Sequence, residues 1–126
     1  MDNIKHKVLL LVEDDTILRD MYKTEFEGND LIVETASNGE EGLQKLQMDK
    51  PNIIVLDLVM PKMSGFDFLD KLQQNTETAQ IPVIVLTNIM VYVEEMVKKG
   101  KVIKCLIKSE TTPAKVLEEI KKILSL

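Results

Sequence analysis

Five short apolar runs, at residues 8–12, 31–35, 53–56, 83–86 and 102–107, recur along this chain with longer amphipathic stretches between them. The runs are rich in Val, Ile and Leu and scarcely interrupted by polar side chains. Strands buried on both faces of a parallel sheet have this composition, whereas half-exposed strands alternate. In the intervening stretches apolar residues fall at helical spacing: Ile17, Leu18, Met21, Tyr22 and Phe26; Leu43 with Leu46; Phe66 with Leu69 and Leu72. A final stripe joins Leu117, Ile120 and Leu124, widened by Val116 and Ile123. Helix starts are marked as well. Ser37 with Glu40, and Ser64 with Asp67, have the spacing of capping pairs. Asp15 can cap a helix opening at Thr16, and Thr112-Pro113 is a cap followed by proline at the first helical position. Gly100 marks the stop of a fourth helix. Strand and helix thus alternate five times, which predicts an α/β fold whose parallel sheet is covered on both faces through right-handed crossovers.

With 126 residues the chain is expected to form a single domain over 1–126, large enough to bury a core without staples. A net charge of −5 speaks against sequence-independent nucleic-acid binding, which needs a basic surface, and favours a cation in any acidic pocket. Cys105 is the single cysteine and His6 the single histidine, so neither an internal disulfide nor a Cys/His zinc set can form. A reducing, cytoplasmic setting is the expectation, with no secretory signal and no apolar run of membrane-spanning length. His6, ahead of the first strand, reads as a surface residue, and the seven methionines as core filler and loop residues.

In doubly wound sheets ligands bind beyond the carboxyl ends of the strands, where the strand order reverses. Those ends read Val12-Glu13-Asp14-Asp15, Leu56-Asp57, Leu86-Thr87-Asn88 and Ile107-Lys108-Ser109. Taken singly, Asp15 is a helix cap, Thr87 a good strand former and Lys108 a solvated surface group. Taken together they are a carboxylate cluster with one hydroxyl and one ammonium. Clustered carboxylates repel unless a cation sits among them or some take up protons, and a hard divalent ion such as Mg²⁺ is the natural counter-charge.

On these residues, and on the segment Asp57-Leu58-Val59-Met60-Pro61-Lys62-Met63-Ser64-Gly65, the chain resembles the receiver domains of two-component response regulators over essentially its whole length. The resemblance implies a (βα)5 flavodoxin-like three-layer sandwich with a five-stranded parallel sheet in the order 2-1-3-4-5. It implies that Asp57 accepts a phosphoryl group from a phosphohistidine of a sensor histidine kinase or phosphotransfer protein. Glu13, Asp14, Asp57 and the backbone carbonyl of Val59 would hold Mg²⁺, Lys108 would pair with the phosphoryl oxygens and Thr87 would hydrogen-bond them. The implied protein is a signalling switch rather than an enzyme, without an output domain in this chain, binding neither nucleic acid nor membrane directly. An aspartate-nucleophile phosphatase would want a second aspartate two residues after the nucleophile, where this chain has the apolar Val59.

The sequence departs from the family pattern at three positions, and its stretch from Gly100 to Lys108 reads about one residue longer than the family norm. Cys105 stands where receivers carry the aromatic residue of their switch, Asn88 where a small residue commonly follows the threonine, and Ser109 where proline commonly follows the lysine. Tyr92 is an aromatic that could substitute for the missing ring. These departures keep a second reading open, a degenerate receiver acting as a phosphorylation-independent binding module. The apolar run Ile89-Met90-Val91-Tyr92-Val93 is either a well-buried helix start or an exposed patch. In the second case the 89–107 region would dock a downstream protein or a second copy of the chain.

Overall fold

The computed structural model describes residues 6–89, 93–98 and 102–126. The chain runs β1 (Lys7–Val12), α1 (Thr16–Phe26), β2 (Leu31–Ala36), α2 (Gly39–Met48), β3 (Ile53–Leu56) and α3 (Gly65–Gln74). It continues through β4 (Val83–Thr87), α4 (Val93–Lys98), β5 (Lys104–Ile107), a 3-10 turn (Lys108–Glu110) and α5 (Pro113–Leu124). The five strands form one parallel sheet in the order β2-β1-β3-β4-β5, so the expected flavodoxin-like topology holds. The strand order reverses at β1, which lies between β2 and β3.

Successive residues of a strand point to opposite faces, and this sheet is apolar on both. Leu10, Val12, Ile54, Leu56, Val83 and Val85 pack with Leu46, Phe68, Leu69 and Leu72 on the α2–α3 side. Leu9, Leu11, Ile53, Val55, Ile84 and Leu86 pack with Tyr22, Phe26, Val116 and Ile120 on the α1–α5 side. The result is three layers with two cores. The central strands β3 and β4 are wholly buried, which is why they read as unbroken apolar runs.

Three caps fall where the sequence places them. Asp15 accepts from Leu18 N–H, Ser64 from Asp67 N–H, and Thr112 from Lys115 N–H ahead of Pro113. The Ser37–Glu40 pair is corrected by one residue. Asn38 is the cap and accepts from Glu41 N–H, while Glu41 reaches back to the backbone and hydroxyl of Ser37. Those bonds, the Ser37 N–H first, hold the Glu41 carboxyl below its usual range. The α1 stripe is narrower than its sequence suggests: Tyr22 and Phe26 are buried and stacked, but Ile17 is 73% exposed and Met21 49%. Both lie one position round the helix from Leu18 and Tyr22, toward solvent beside Pro113. The fifth strand starts at Lys104 rather than at residue 102; Val102 is buried and Ile103 N–H bonds Val83 O, but Ile103 turns its side chain out. The helix stop placed at Gly100 lies outside the described residues.

The loop after β3 packs closely on the end of its own strand. Gly65 N–H bonds Leu58 O, and a Cβ on Gly65 would stand 2.4 Å from the carbonyl oxygen of Asp57 and 2.6 Å from Leu58 Cα. Backbone fills the space that a side chain would need, so only glycine lets α3 start here. Gly65→Ala is therefore expected to lower stability by about 1–3 kcal/mol, the usual cost of overpacking. Urea unfolding measures this, and an unchanged midpoint would show that the loop gives way freely.

Candidate functional site

The parallel sheet brings all its carboxyl ends to one rim, and the side chains there belong to the residues that end each strand. Glu13 follows β1, with its N–H bonded to Ala36 O of β2. Asp57 follows β3, with its N–H bonded to Val12 O of β1. The sheet ladder thus carries both residues one step past their strands and leaves little freedom in where they point. Glu13 and Asp57 are 2% and 7% exposed, while Asp14 faces solvent.

Glu13, Asp14 and Asp57 each offer a carboxylate oxygen within 4.8 Å of the others. Among the described residues one ammonium answers them: Lys108 Nζ lies 2.6 Å from Glu13 Oε1 and 3.0 Å from Asp57 Oδ2. Backbone donors complete the set. Asp15 N–H bonds Glu13 Oε2 at 3.0 Å, and Val59 N–H approaches Asp57 Oδ1 at 3.4 Å. Three carboxylates against one lysine leave the cluster net negative. Their hard oxygens, some buried and some open, are the donor chemistry that suits Mg²⁺, which is usually held by a few carboxylates together with water and phosphate oxygens.

Burial pushes the Glu13 carboxyl up, assisted by the nearby charge of Asp57; Lys108 and the Asp15 N–H pull against it without cancelling it. Burial alone would lower the Lys108 ammonium, but its bonds to Glu13 and Asp57 hold it above its usual value. The lysine therefore stays charged while the carboxylates remain short of positive charge. Tyr22, beneath the site on α1, is pushed up chiefly by burial, with Lys108 opposing.

Thr87, at the end of β4, is 1% exposed, and its hydroxyl oxygen accepts from Ile89 N–H at 3.3 Å. It pairs in register with Ile107, the residue before Lys108. Asn88 turns its Oδ1 to Ser109 N–H at 2.8 Å. All the residues singled out at the strand ends therefore lie on this rim, and Glu13, Asp14, Asp57 and Lys108 converge directly. Tyr92 and most of the 89–93 run lie outside the described residues; Ile89 is exposed, as are Val97 and Ile103.

One residue at the site escaped sequence reasoning. Arg19 Nη1 donates to the carbonyl oxygen of Glu13 at 2.9 Å and reaches that of Asp14 at 3.5 Å, fastening the loop that carries both acids. Its signal was faint: an arginine one turn into the helix that follows an acidic loop.

Cys105 in β5 pairs with Val85 and packs against the α2–α3 core. Burial pushes its thiol up from 9.0 to about 11. At a given pH below 9 the native thiolate population is then about a hundredfold smaller than that of an unfolded thiol. Alkylation by iodoacetamide is expected to be slower in the native protein than in urea by at least that factor, a gap that narrows as pH rises toward 11. Equal rates in the two states would show Cys105 to be open.

Known proteins with this arrangement were identified by sequence and by structure. The sequence profile of the response regulator receiver domain matches residues 9–121. The alkaline phosphatase synthesis transcriptional regulatory protein PhoP of Bacillus subtilis is 38% identical over 86 residues, covering 65% of this chain and 33% of that protein. The probable transcriptional regulator ycf27 of Cyanophora paradoxa is 36% identical over 84 residues, covering 67% of this chain and 34% of its own length. The matched segment thus spans about a third of these relatives. Among solved structures, the CheY-like receiver domain protein from Methanospirillum hungatei superposes with a TM-score of 0.84 at 26% identity, over 95% of this chain and 94% of that one. The response regulator TrrA from Thermotoga maritima, in complex with Mg(2+)-BeF, gives 0.79 at 26% identity, over 93% and 98%.

Proposed function

This chain belongs to the response regulator receiver domain family, and from that premise we propose that it is a phosphoacceptor switch working through Asp57. The observation that carries this reading is Lys108 bridging Glu13 and Asp57 at 2.6 and 3.0 Å, inside a carboxylate cluster that calls for a further cation.

In the proposed reaction a carboxylate oxygen of Asp57 attacks the phosphorus of a phosphohistidine on a sensor kinase or phosphotransfer protein. A P–O bond forms, the P–N bond breaks, and the imidazole leaves with the electron pair and takes up a proton. The product on this chain is an acyl phosphate. Carboxylates serve as nucleophiles elsewhere, and in phosphoryl transfer the protein contributes mainly alignment and charge neutralisation. Glu13, Asp14 and Asp57, with the backbone carbonyl of Val59, would hold Mg²⁺, which when bound supplies positive charge to the phosphoryl oxygens.

Each residue of the rim has a task in this scheme. Lys108 moves its ammonium from the carboxylates toward the incoming phosphoryl oxygens, compensating charge that it already faces in the resting site. Val59 N–H and Lys108 orient the Asp57 carboxylate. Arg19 holds the Glu13–Asp14 backbone in place. Thr87 exchanges its contact with Ile89 N–H for a bond from its hydroxyl to a phosphoryl oxygen. That exchange moves the 87–89 loop, at the head of the 89–107 region where a downstream protein or a second copy would dock. Val59, apolar at the place of an acid/base group, supports a switch rather than a turnover enzyme. No described helix is long and apolar enough to cross a membrane, and a cytoplasmic setting remains part of the proposal.

Incubation with Mg²⁺ and acetyl phosphate, followed by intact mass spectrometry, tests the reading. A single phosphoryl adduct is expected on the wild type and none on Asp57→Ala, with Lys108→Ala slowed by at least about tenfold, the scale of losing one charged contact in the transition state. An adduct of equal yield on Asp57→Ala would sink the proposal. A wild type that takes up no phosphoryl group would favour the degenerate binding module instead.

A further inference from the structure

The ends of β4 and β5 are tied together above the sheet by a contact that none of the steps above uses. Asn88 Oδ1 accepts from Ser109 N–H at 2.8 Å, and each partner is the immediate neighbour of a residue proposed to meet the phosphoryl group: Asn88 follows Thr87, and Ser109 follows Lys108. We propose that Asn88 is a positioning residue that couples Thr87 to Lys108, so that hydroxyl and ammonium come to the phosphoryl group as one unit. The proposal rests on the phosphoacceptor reading of Asp57.

The argument begins with the ladder between the two strands. The register Thr87↔Ile107 is its last pair, after which β5 turns at once into the 3-10 segment Lys108–Glu110. That segment has no side-chain cap of its own. Without a further tie, Thr87 and Lys108 would sit on two loops joined only through the sheet below. The Asn88 amide replaces the missing rung, because a side-chain carbonyl one residue past Thr87 reaches an N–H one residue past Lys108. The contact also depends on a departure from the family pattern. Proline at 109 would have no N–H to donate, so asparagine at 88 and serine at 109 make sense as a pair.

The movement proposed for Thr87 gives the tie its consequence. Turning the hydroxyl toward a phosphoryl oxygen releases Ile89 N–H and shifts the loop in which Asn88 sits. Through Ser109 that shift is passed to the backbone of Lys108, which must leave Glu13 in the same event. The amide itself holds only the Ser109 N–H and none of the metal donors Glu13, Asp14 and Asp57, so its loss is expected to bear on phosphate capture far more than on Mg²⁺.

Affinities for Mg²⁺ alone, and for fluoroberyllate in the presence of Mg²⁺, test the coupling by titration calorimetry on wild type, Asn88→Ala, Ser109→Pro and the double variant. Asn88→Ala is expected to weaken fluoroberyllate binding about fivefold, the worth of one solvent-accessible hydrogen bond, with Mg²⁺ affinity unchanged. In the Ser109→Pro background the same substitution should cost nothing further, because the donor is already gone; Ser109→Ala, which keeps the N–H, should match wild type. Unchanged fluoroberyllate affinity in Asn88→Ala would overturn the coupling. So would an equal loss of Mg²⁺ affinity, which marks general loosening, or an undiminished loss in the proline background. A wild type that binds Mg²⁺ but not fluoroberyllate would fail the phosphoacceptor reading itself and take the coupling with it; an insensitive Asn88→Ala beside a binding wild type fails the coupling alone.

Discussion

Like charges gathered on one rim of a parallel sheet must be held there against their own repulsion, and in this molecule Lys108 does the holding. Every strand of a parallel sheet ends on the same side, so Glu13 and Asp57, one step past adjacent strands, cannot separate without breaking the ladder bonds that place them. A single ammonium at 2.6 and 3.0 Å makes the arrangement tolerable, and burial makes it tense. In a low-dielectric rim the attraction is strong, but so is the cost of desolvating each charge. Such a pair is poor evidence of stability and good evidence of function, because replacing it with apolar residues would be the easier way to make a stable fold.

The rest of the rim follows from that tension. Gly65 lets backbone pack against backbone, so that the loop leaving Asp57 is pinned to its own strand end. Arg19 fastens the loop behind Glu13 and Asp14 by their backbone carbonyls rather than by their carboxylates. The Asp15 N–H supports the Glu13 oxygen that faces away from Lys108. Below these loops two close-packed layers fill both faces of the sheet. Close-packed interiors deform little, so any change at the rim has to be taken up by the loops, and the 87–89 segment carries a hydroxyl whose contact is a loop N–H.

How much of this could be read from sequence depended on the range of the signal. Both the buried strands and the acids that end them are local features, and the strand-end rule then gathers Glu13, Asp14, Asp57, Thr87 and Lys108 without knowledge of a single contact. The capping shift from Ser37 to Asn38 is a one-residue error of a kind that local patterns cannot resolve, because two adjacent residues both carry capping oxygens. Ile17 and Met21 fit the α1 stripe by spacing, but how wide a face α1 buries is set by the packing of the sheet and α5 against it. Arg19 and the Asn88–Ser109 bond were illegible for a stronger reason. Both join a side chain to backbone, Arg19 to the loop before its own helix and Asn88 to a loop 21 residues away, and composition and periodicity encode neither partner.

Cys105 sharpens what the proposed switch must be made of. A ring that swings between two rotamers exchanges a large volume at each end and so creates two well-separated packings. A thiol has one short arm and exchanges almost none. Here that arm is half-buried against the α2–α3 core, where burial also raises its pKa. If Asp57 is phosphorylated, two states must arise from elements that can exchange partners, and the described rim has them in sequence order. Thr87 has its hydroxyl on Ile89 N–H, Asn88 has its amide on Ser109 N–H, and Lys108 has its ammonium on Glu13 and Asp57. With Cys105 in place of the ring, the proposed switch would be read out at least in part through a short hydrogen-bonded relay between the ends of β4 and β5. In such a relay the asparagine amide and a residue at 109 that, unlike proline, keeps its N–H are the groups that would pass the signal on.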